Sequence, residues 1–431
     1  MKIKTKVKSY DEVLAIPPQK HKRPMKQSLF FRMLLRIVSI PDLVSTRFTV
    51  EKIGMERLGR REPCLVLMNH SSFIDLKIAS TVLFPRPFNV VCTSDGFVGM
   101  NLLMRLLGCI PTNKFVFDVG LVRDMTYAVR KLNSSILLYP EASYSFDGTA
   151  TPLPETVGGL VKMLRIPVVT IQTHGAFARQ PLYNNLRRRR VKVSAEMRYL
   201  LSPDEIAQMS ADEINAAIGT QFSFDAFRWQ KENRVRIDEP DRAEALNRVL
   251  YKCPACGTEG KTEGKGDTLT CHACKKVYRM DEYGEMRAIE GDTEFPHIPD
   301  WYAWQRECVR QELLDGRYRL DCEVDIYMMV NTKCIYRVGE GRLVHTRDGF
   351  RLTGCDGKLD YSQKAIATYS LYSDFYWYEI GDVISIGNKK VLYYCFPKDV
   401  GDIVAKTRLA TEELYKLVKR DAPSHAERSE V

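Results

Sequence analysis

The sequence predicts an α/β domain with a mixed sheet flanked by helices, then a small four-cysteine module, then a C-terminal antiparallel β domain closed by one helix. Three observations lead there. Between residues 63 and 200, short apolar runs alternate with stretches of helical periodicity, the pattern of doubly buried strands with helices packed over them. Two Cys-x2-Cys pairs, Cys253/Cys256 and Cys271/Cys274, are separated by fourteen residues. From about residue 317 to 397 the chain turns aromatic and β-branched, with Gly-containing turns, before a final amphipathic stretch.

The 431 residues are 45% hydrophobic and 27% charged, which excludes a wholly disordered or collagen-like chain. The expected division is a basic arm and amphipathic membrane-contact helix at 1–48, the α/β domain at 49–200 and a helical linker at 201–249. The cysteine module at 250–282, a β-rich domain at 283–420 and a polar tail at 421–431 follow. Lys and Arg number 64 against 54 Asp and Glu, and residues 1–37 alone hold ten basic against two acidic residues. Such an arm suits anionic partners, phospholipid head groups or nucleic acid. Twelve cysteines behind an opening without an apolar leader argue for a reducing, cytosolic compartment. No run approaches the ~18 apolar residues of a spanning helix.

In chain order, residues 1–26 read as a mobile basic arm. Residues 28–38 are apolar around most of a helix, with Arg32 and Arg36 one turn apart on one side. This fits either a helix lying on a membrane surface or a core helix of the next domain. Residues 64–68, 88–92, 135–139 and 166–171 read as buried strands, and 75–83, 98–107, 119–132 and 156–164 as helices. Residues 201–248 read as charged and helical. Seven antiparallel strands are expected at 318–329, 334–336, 342–346, 349–352, 375–379, 383–386 and 390–395, with a turn at Gly339-Glu340-Gly341 and a closing helix at 399–419.

The first strand runs into Asn69-His70-Ser71-Ser72-Phe73-Ile74-Asp75. A His there stands at the carboxyl edge of the sheet, where open α/β folds bind ligands. It can take a proton near neutral pH, and an Asp five residues on can fix its tautomer. No Ser or Cys nucleophile is needed if the substrate brings its own hydroxyl. His-x4-Asp alone is a weak signal. Three further blocks follow: Gly108-Cys109-Ile110-Pro111-Thr112-Asn113-Lys114, Tyr139-Pro140-Glu141-Ala142-Ser143-Tyr144-Ser145, and Ile166-Pro167-Val168-Val169. Together, in this order, they resemble the glycerolipid acyltransferase family that includes the lysophosphatidate acyltransferases, over roughly residues 50–200.

The resemblance implies that His70 is the general base, oriented by Asp75, for attack of an acceptor hydroxyl on an acyl thioester of coenzyme A or acyl carrier protein. It implies an acceptor site at Asn69, Ser71, Lys114, Glu141, Ser143 and Tyr144. Two departures weaken the phosphate clamp: Lys114 stands where the family has Arg, and Ala142-Ser143-Tyr144 stands where it has Gly-Thr-Arg. A Tyr hydroxyl does not replace a planar bidentate guanidinium. His174, which follows the fourth strand, reads either as a structural His or as a second His at the sheet's carboxyl edge, the structural reading being the simpler. Arg187-Arg188-Arg189-Arg190 is either a solvated run or a phosphate contact.

Four thiolates from Cys253, Cys256, Cys271 and Cys274, paired around a Gly- and Lys-rich hairpin, have tetrahedral reach around one Zn²⁺ and leave no open position. This is a structural zinc ribbon, with His272 outside the ligand set. Its lysines alternate with acids and it lacks a base-stacking series, so nucleic acid is not the expected partner. The C-terminal strands and closing helix resemble a pleckstrin-homology-type fold. The expectation is a peripheral O-acyltransferase on the cytosolic face of a membrane, using acyl-CoA or acyl-ACP and a lysophospholipid or glycerol-phosphate-like acceptor. The zinc ribbon or β domain can recruit a protein partner. The competing class is a non-catalytic lipid-binding adaptor.

Overall fold

Leu65–Met68 lies at the centre of a seven-stranded sheet because both its faces are covered: Val66 and Met68 join one apolar cluster with Ile74 and Ile78, Leu65 and Leu67 another with Ile136 and Val161. The protein is described by a computed structural model over residues 2–116, 118–398 and 401–421, so residues 399–400 of the expected closing helix and the expected tail from 422 onward lie outside the described residues. The strand order is Thr49–Ile53, Ser194–Leu201, Val168–His174, Leu65–Met68, Ser135–Leu138, Phe88–Thr93, Cys109–Thr112. The last five run parallel; Ser194–Leu201 is antiparallel to Val168–His174 and carries Thr49–Ile53 parallel to itself. The sheet is therefore mixed, as expected.

Three of its strands have no counterpart in the sequence reading. Thr49–Ile53 is a mostly exposed edge. Cys109–Thr112 is the opposite edge and contains Pro111, which only an edge tolerates. Ser194–Leu201 alternates half-buried and buried residues directly after an arginine run.

The expected helical linker is helical only in part. Ser202 and Ser210 start Pro203–Gln208 and Ala211–Phe222 with capping boxes, Ala226–Glu232 follows, and residues 233–245 are irregular. Ala211–Phe222 lies close on Thr156–Leu164, where a Cβ at Gly158 would stand 2.1 Å from the Ala211 carbonyl oxygen.

The cysteine module is a four-stranded antiparallel sheet ordered Met286–Ala288, Val277–Met280, Thr268–Cys271, Thr262–Lys265. Behind it lies helix Ile298–Leu314, unanticipated from sequence, whose Trp301 is fully buried against Tyr278. The C-terminal sheet is ordered Leu359–Lys364, Gly349–Gly354, Ile335–Thr346, Leu320–Met329, Leu392–Pro397, Gly381–Gly387, Tyr372–Trp377, and helix Ile403–Asp421 closes it. Gly339-Glu340-Gly341 is not a turn. It lies inside Ile335–Thr346, where Val338, next to Gly339, is left out as the register shifts and Gly341 lets Thr353 approach, its Cβ position being 2.1 Å from that carbonyl oxygen.

The N-terminal arm is docked, contrary to the mobile arm expected. Thr5–Val7 adds a parallel strand to Ile335–Thr346, Ser9 caps helix Tyr10–Leu14, and Val13 is fully buried. Edge pairing needs only main-chain partners, so a short strand inside a lysine-rich segment can make it. One apolar cluster joins Val13, Phe146, Phe177, Tyr183, Tyr251, Trp301, Ile326 and Leu409, crossing every expected boundary between arm, α/β domain, cysteine module and β domain.

Helix Leu29–Ser45 buries Ser39 and Leu43 and leaves Phe30, Met33, Ile37, Val38 and Val44 exposed, Phe30 at 67% and Val44 at 70%. Its arginines reach the neighbouring Phe84-Pro85 segment at the surface: Arg32 donates to the Pro85 carbonyl, and Arg36, itself exposed, lies 4.6 Å from the centre of the Phe84 ring. No helix among the described residues is long and apolar enough to cross a membrane.

Candidate active site and cysteine centre

His70 leaves the central strand at its carboxyl edge and meets Asp75 at the first residue of helix Asp75–Val82. The His70 Nδ1–H donates to Asp75 Oδ2 at 3.1 Å, and the same oxygen accepts from Ser71 N at 2.8 Å and Ser72 N at 3.0 Å. Asp75 is 1% exposed. A buried carboxylate held by two backbone N–H groups orients the imidazole and leaves Nε2 as its basic nitrogen. Burial lowers the His70 pKa; the Asp75 hydrogen bond and charge push it up, and Lys114 pushes it down again. The net shift is below 6.5, so the ring is mainly neutral at pH 7.

The imidazole is sandwiched between Tyr139 and Tyr144, with ring centres 4.2 and 4.0 Å away. Tyr144 was expected in the acceptor site in place of an arginine, and Tyr139 at the end of a strand; neither was expected to stack on His70. Two tyrosines five residues apart across Pro140-Glu141 were the available signal.

Glu141 is buried against the backbone of the His70 turn. It accepts from His70 N at 2.8 Å, Thr151 N at 2.9 Å and Thr151 Oγ1 at 3.3 Å. Burial raises its pKa to about 7 against these hydrogen bonds. Asn69 joins the loop to the neighbouring strand, its Oδ1 accepting from Thr173 N at 2.8 Å and its Nδ2 donating to Ser71 Oγ at 3.0 Å. These contacts make Asn69, Ser71 and Glu141 parts of the scaffold that shapes the His70 turn. Ser143 and Tyr144 are held from the C-terminal helix: Arg408 Nη1 donates to the Tyr144 carbonyl at 3.0 Å and Ser143 Oγ at 3.4 Å.

Lys114 reaches the same cluster, its Nζ 4.3 Å from the centre of the Tyr372 ring. Burial lowers its pKa, while Asp374 and Asp95 raise it. Asp374 itself is pushed up to about 6 by burial. Asp75 Oδ1, Tyr139 OH and Asp374 Oδ1 are buried around this site with no hydrogen-bond partner among the described residues. The remaining candidates lie elsewhere. His174 packs on Phe224 and Trp229, in keeping with a structural His. Arg187 pairs with Asp241, Arg188 with Asp42, and Arg189 is buried against Tyr183 and the Arg242 carbonyl, so the arginine run binds the chain to itself.

The four cysteines of the two knuckles converge, with all four sulfurs within 4.8 Å of one another. Cys253 Sγ is 3.7 Å from Cys274 Sγ, and Cys256 Sγ is 3.8 Å from Cys271 Sγ. Ligands ~2.3 Å from a tetrahedral ion stand ~3.8 Å apart, so the set can hold a metal without rearrangement. His272 turns away to Glu263 at 2.8 Å. The other eight cysteines are buried or half-buried thiols, with no disulfide among the described residues.

Residues 49–174 match the family model described as Acyltransferase, so the chain carries an acyltransferase domain. Among solved structures it is similar to the 1-acyl-sn-glycerophosphate (LPA) acyltransferase PlsC from Thermotoga maritima. That similarity has 17% identity over 44% of this chain and 76% of that one, with a TM-score of 0.34. No curated protein matches the chain.

Proposed function

We propose that the protein is a membrane-surface O-acyltransferase that moves a fatty acyl group from acyl-CoA or acyl-ACP to the hydroxyl of a lysophospholipid or glycerol-phosphate-like acceptor. The observation that carries this reading is the His70 Nδ1–Asp75 Oδ2 hydrogen bond at the carboxyl edge of the sheet. In this mechanism His70 Nε2 takes the hydroxyl proton as the acceptor oxygen forms its bond to the thioester carbonyl carbon. The C–S bond then breaks, and the imidazolium returns the proton to the leaving thiolate, giving an ester and a free thiol. Asp75 stabilises the imidazolium, and no covalent acyl-enzyme forms.

The unpartnered Asp75, Tyr139 and Asp374 atoms suit a substrate rich in hydroxyl donors. Lys114 supplies positive charge, but Asp374 and Asp95 temper it. This balance favours the singly charged phosphodiester of a lysophospholipid over a dianionic phosphomonoester. The exposed apolar face of helix Leu29–Ser45, with Phe73 at 55% exposure next to the catalytic turn, supports contact with the cytosolic face of a membrane. In the cysteine centre Cys253, Cys256, Cys271 and Cys274 would hold a structural Zn²⁺, consistent with four thiolates and no open position. The pleckstrin-homology-like reading of the C-terminal domain rests on its strand order and single closing helix.

The test is transfer of labelled acyl groups from acyl-CoA and from acyl-ACP to a panel of acceptors in phospholipid vesicles. Labelled diacyl product from a lysophospholipid, with less from the phosphomonoester, is expected. Thiol release without any acceptor would instead mark a thioesterase, and neither product nor thiol would favour the adaptor.

A further inference from the structure

We propose that the C-terminal helix completes the catalytic site, with Arg408 as a positioning residue that fixes the Ser143–Tyr144 turn and, through it, the Tyr144 ring on His70. This rests on the reading of His70 as the base of an acyl transfer.

Arg408 is 3% exposed and spans the turn at three points. Its Nη1 reaches Ser143 Oγ and the Tyr144 carbonyl, and its guanidinium carbon lies 4.5 Å from the centre of the Phe146 ring. Its Nε donates to Glu412 Oε1 at 3.2 Å. Glu412 also accepts from Ser370 at 2.7 Å and pairs with Arg306 at 2.8 Å. The charge of Arg408 is therefore matched within the protein, which suits a strut more than a phosphate clamp. The turn needs one: Ala142 sits at φ +55°, a left-handed conformation that costs a residue with a Cβ ~1 kcal/mol or more. An arginine missing from the loop is thus met by one delivered from another domain. Lys406, two residues before Arg408, ties the same helix to Glu259 and to Glu312 of helix Ile298–Leu314, each at 2.7 Å. Glu259 lies just after the first cysteine knuckle.

The test follows the His70 imidazole by NMR in the full-length chain labelled with ¹⁵N-histidine, assigned with His70→Gln, alongside the pH profile of kcat/KM. The charged and titratable groups facing His70 are Asp75, Lys114, Tyr139 and Tyr144, with Glu141 beneath its backbone. The variants are Arg408→Lys, which keeps a cation beside Glu412 but lacks the fork, and Arg408→Gln. Both are expected to loosen the sandwich, admit water, and move the His70 midpoint up toward 6.5. The acid limb of the profile should move with it, and kcat should fall roughly 10–100-fold. Tyr144→Leu, which leaves the Arg408–Glu412 pair intact, is expected to give the same shift. A His70 midpoint unchanged in the folded Arg408 variants, whatever happens to activity, overturns the proposal, as does an unshifted His70 in Tyr144→Leu. Because the NMR midpoint needs no turnover, it decides the role of Arg408 even if acyl transfer itself is not found.

Discussion

At residue scale, the turn beside His70 departs in residue type from the pattern it resembles, with Ala142-Ser143-Tyr144 standing where that pattern has Gly-Thr-Arg. Ala142 takes a left-handed conformation, φ +55°, that glycine would adopt freely. Ala142→Gly is expected to raise stability by roughly 0.5–1 kcal/mol, seen as a higher urea midpoint with activity kept; a lower midpoint would show that the turn is not strained. His70 and Asp75 were legible in the sequence because an acid at the first turn of a helix can reach back over a short loop. The roles of Asn69 and Glu141 were not, since their partners Thr173 and Thr151 are fixed only by tertiary pairing.

At element scale, strands buried on both faces announced themselves as unbroken apolar runs, Leu65–Met68 most plainly. Edge strands and docked segments did not. Thr5–Val7 is held by its main chain, so the lysines in and around it carried no signal. Helix Ile298–Leu314 was obscured by the aromatic residues Trp301, Tyr302 and Trp304, which read equally well as strand. The convergence of the cysteine knuckles was legible because their spacing along the chain suits four sulfurs meeting at one point. Removing metal with a chelator, or Cys271→Ser, is expected to lower the melting temperature by several degrees and abolish binding of one Zn²⁺ per chain. Metal content by mass spectrometry with unchanged melting would contradict a structural ion. On helix Leu29–Ser45, Phe30→Asp with Ile37→Asp is expected to weaken sedimentation with anionic vesicles at least tenfold while sparing transfer to a short-chain, water-soluble acceptor. Loss of both activities together would mean that the helix is part of the folded core.

At the scale of the whole molecule, the expected division into arm, enzyme, linker, module and β domain describes the sequence better than the packing. Phe146, Phe177 and Tyr183 of the α/β region are buried in the same cluster as Tyr251, Trp301 and Leu409. Composition could not reveal this, because an apolar residue does not say which element will cover it. Residues 49–200 expressed alone are therefore expected to lack a cooperative melting transition and to show less than a hundredth of full-length activity; a folded, active fragment would contradict the shared core. The measurement that bears most directly on the central claim is acceptor-dependent release of thiol from acyl-CoA, taken from pH 5 to 8 for wild type, His70→Ala and Asp75→Asn. His70 must be neutral to accept the proton, and burial holds its pKa below 6.5. Wild-type kcat/KM should thus be level near pH 7 and fall as the pH drops below 6.5, with His70→Ala reduced ~10²–10⁴-fold. Thiol release undiminished in His70→Ala would contradict the account.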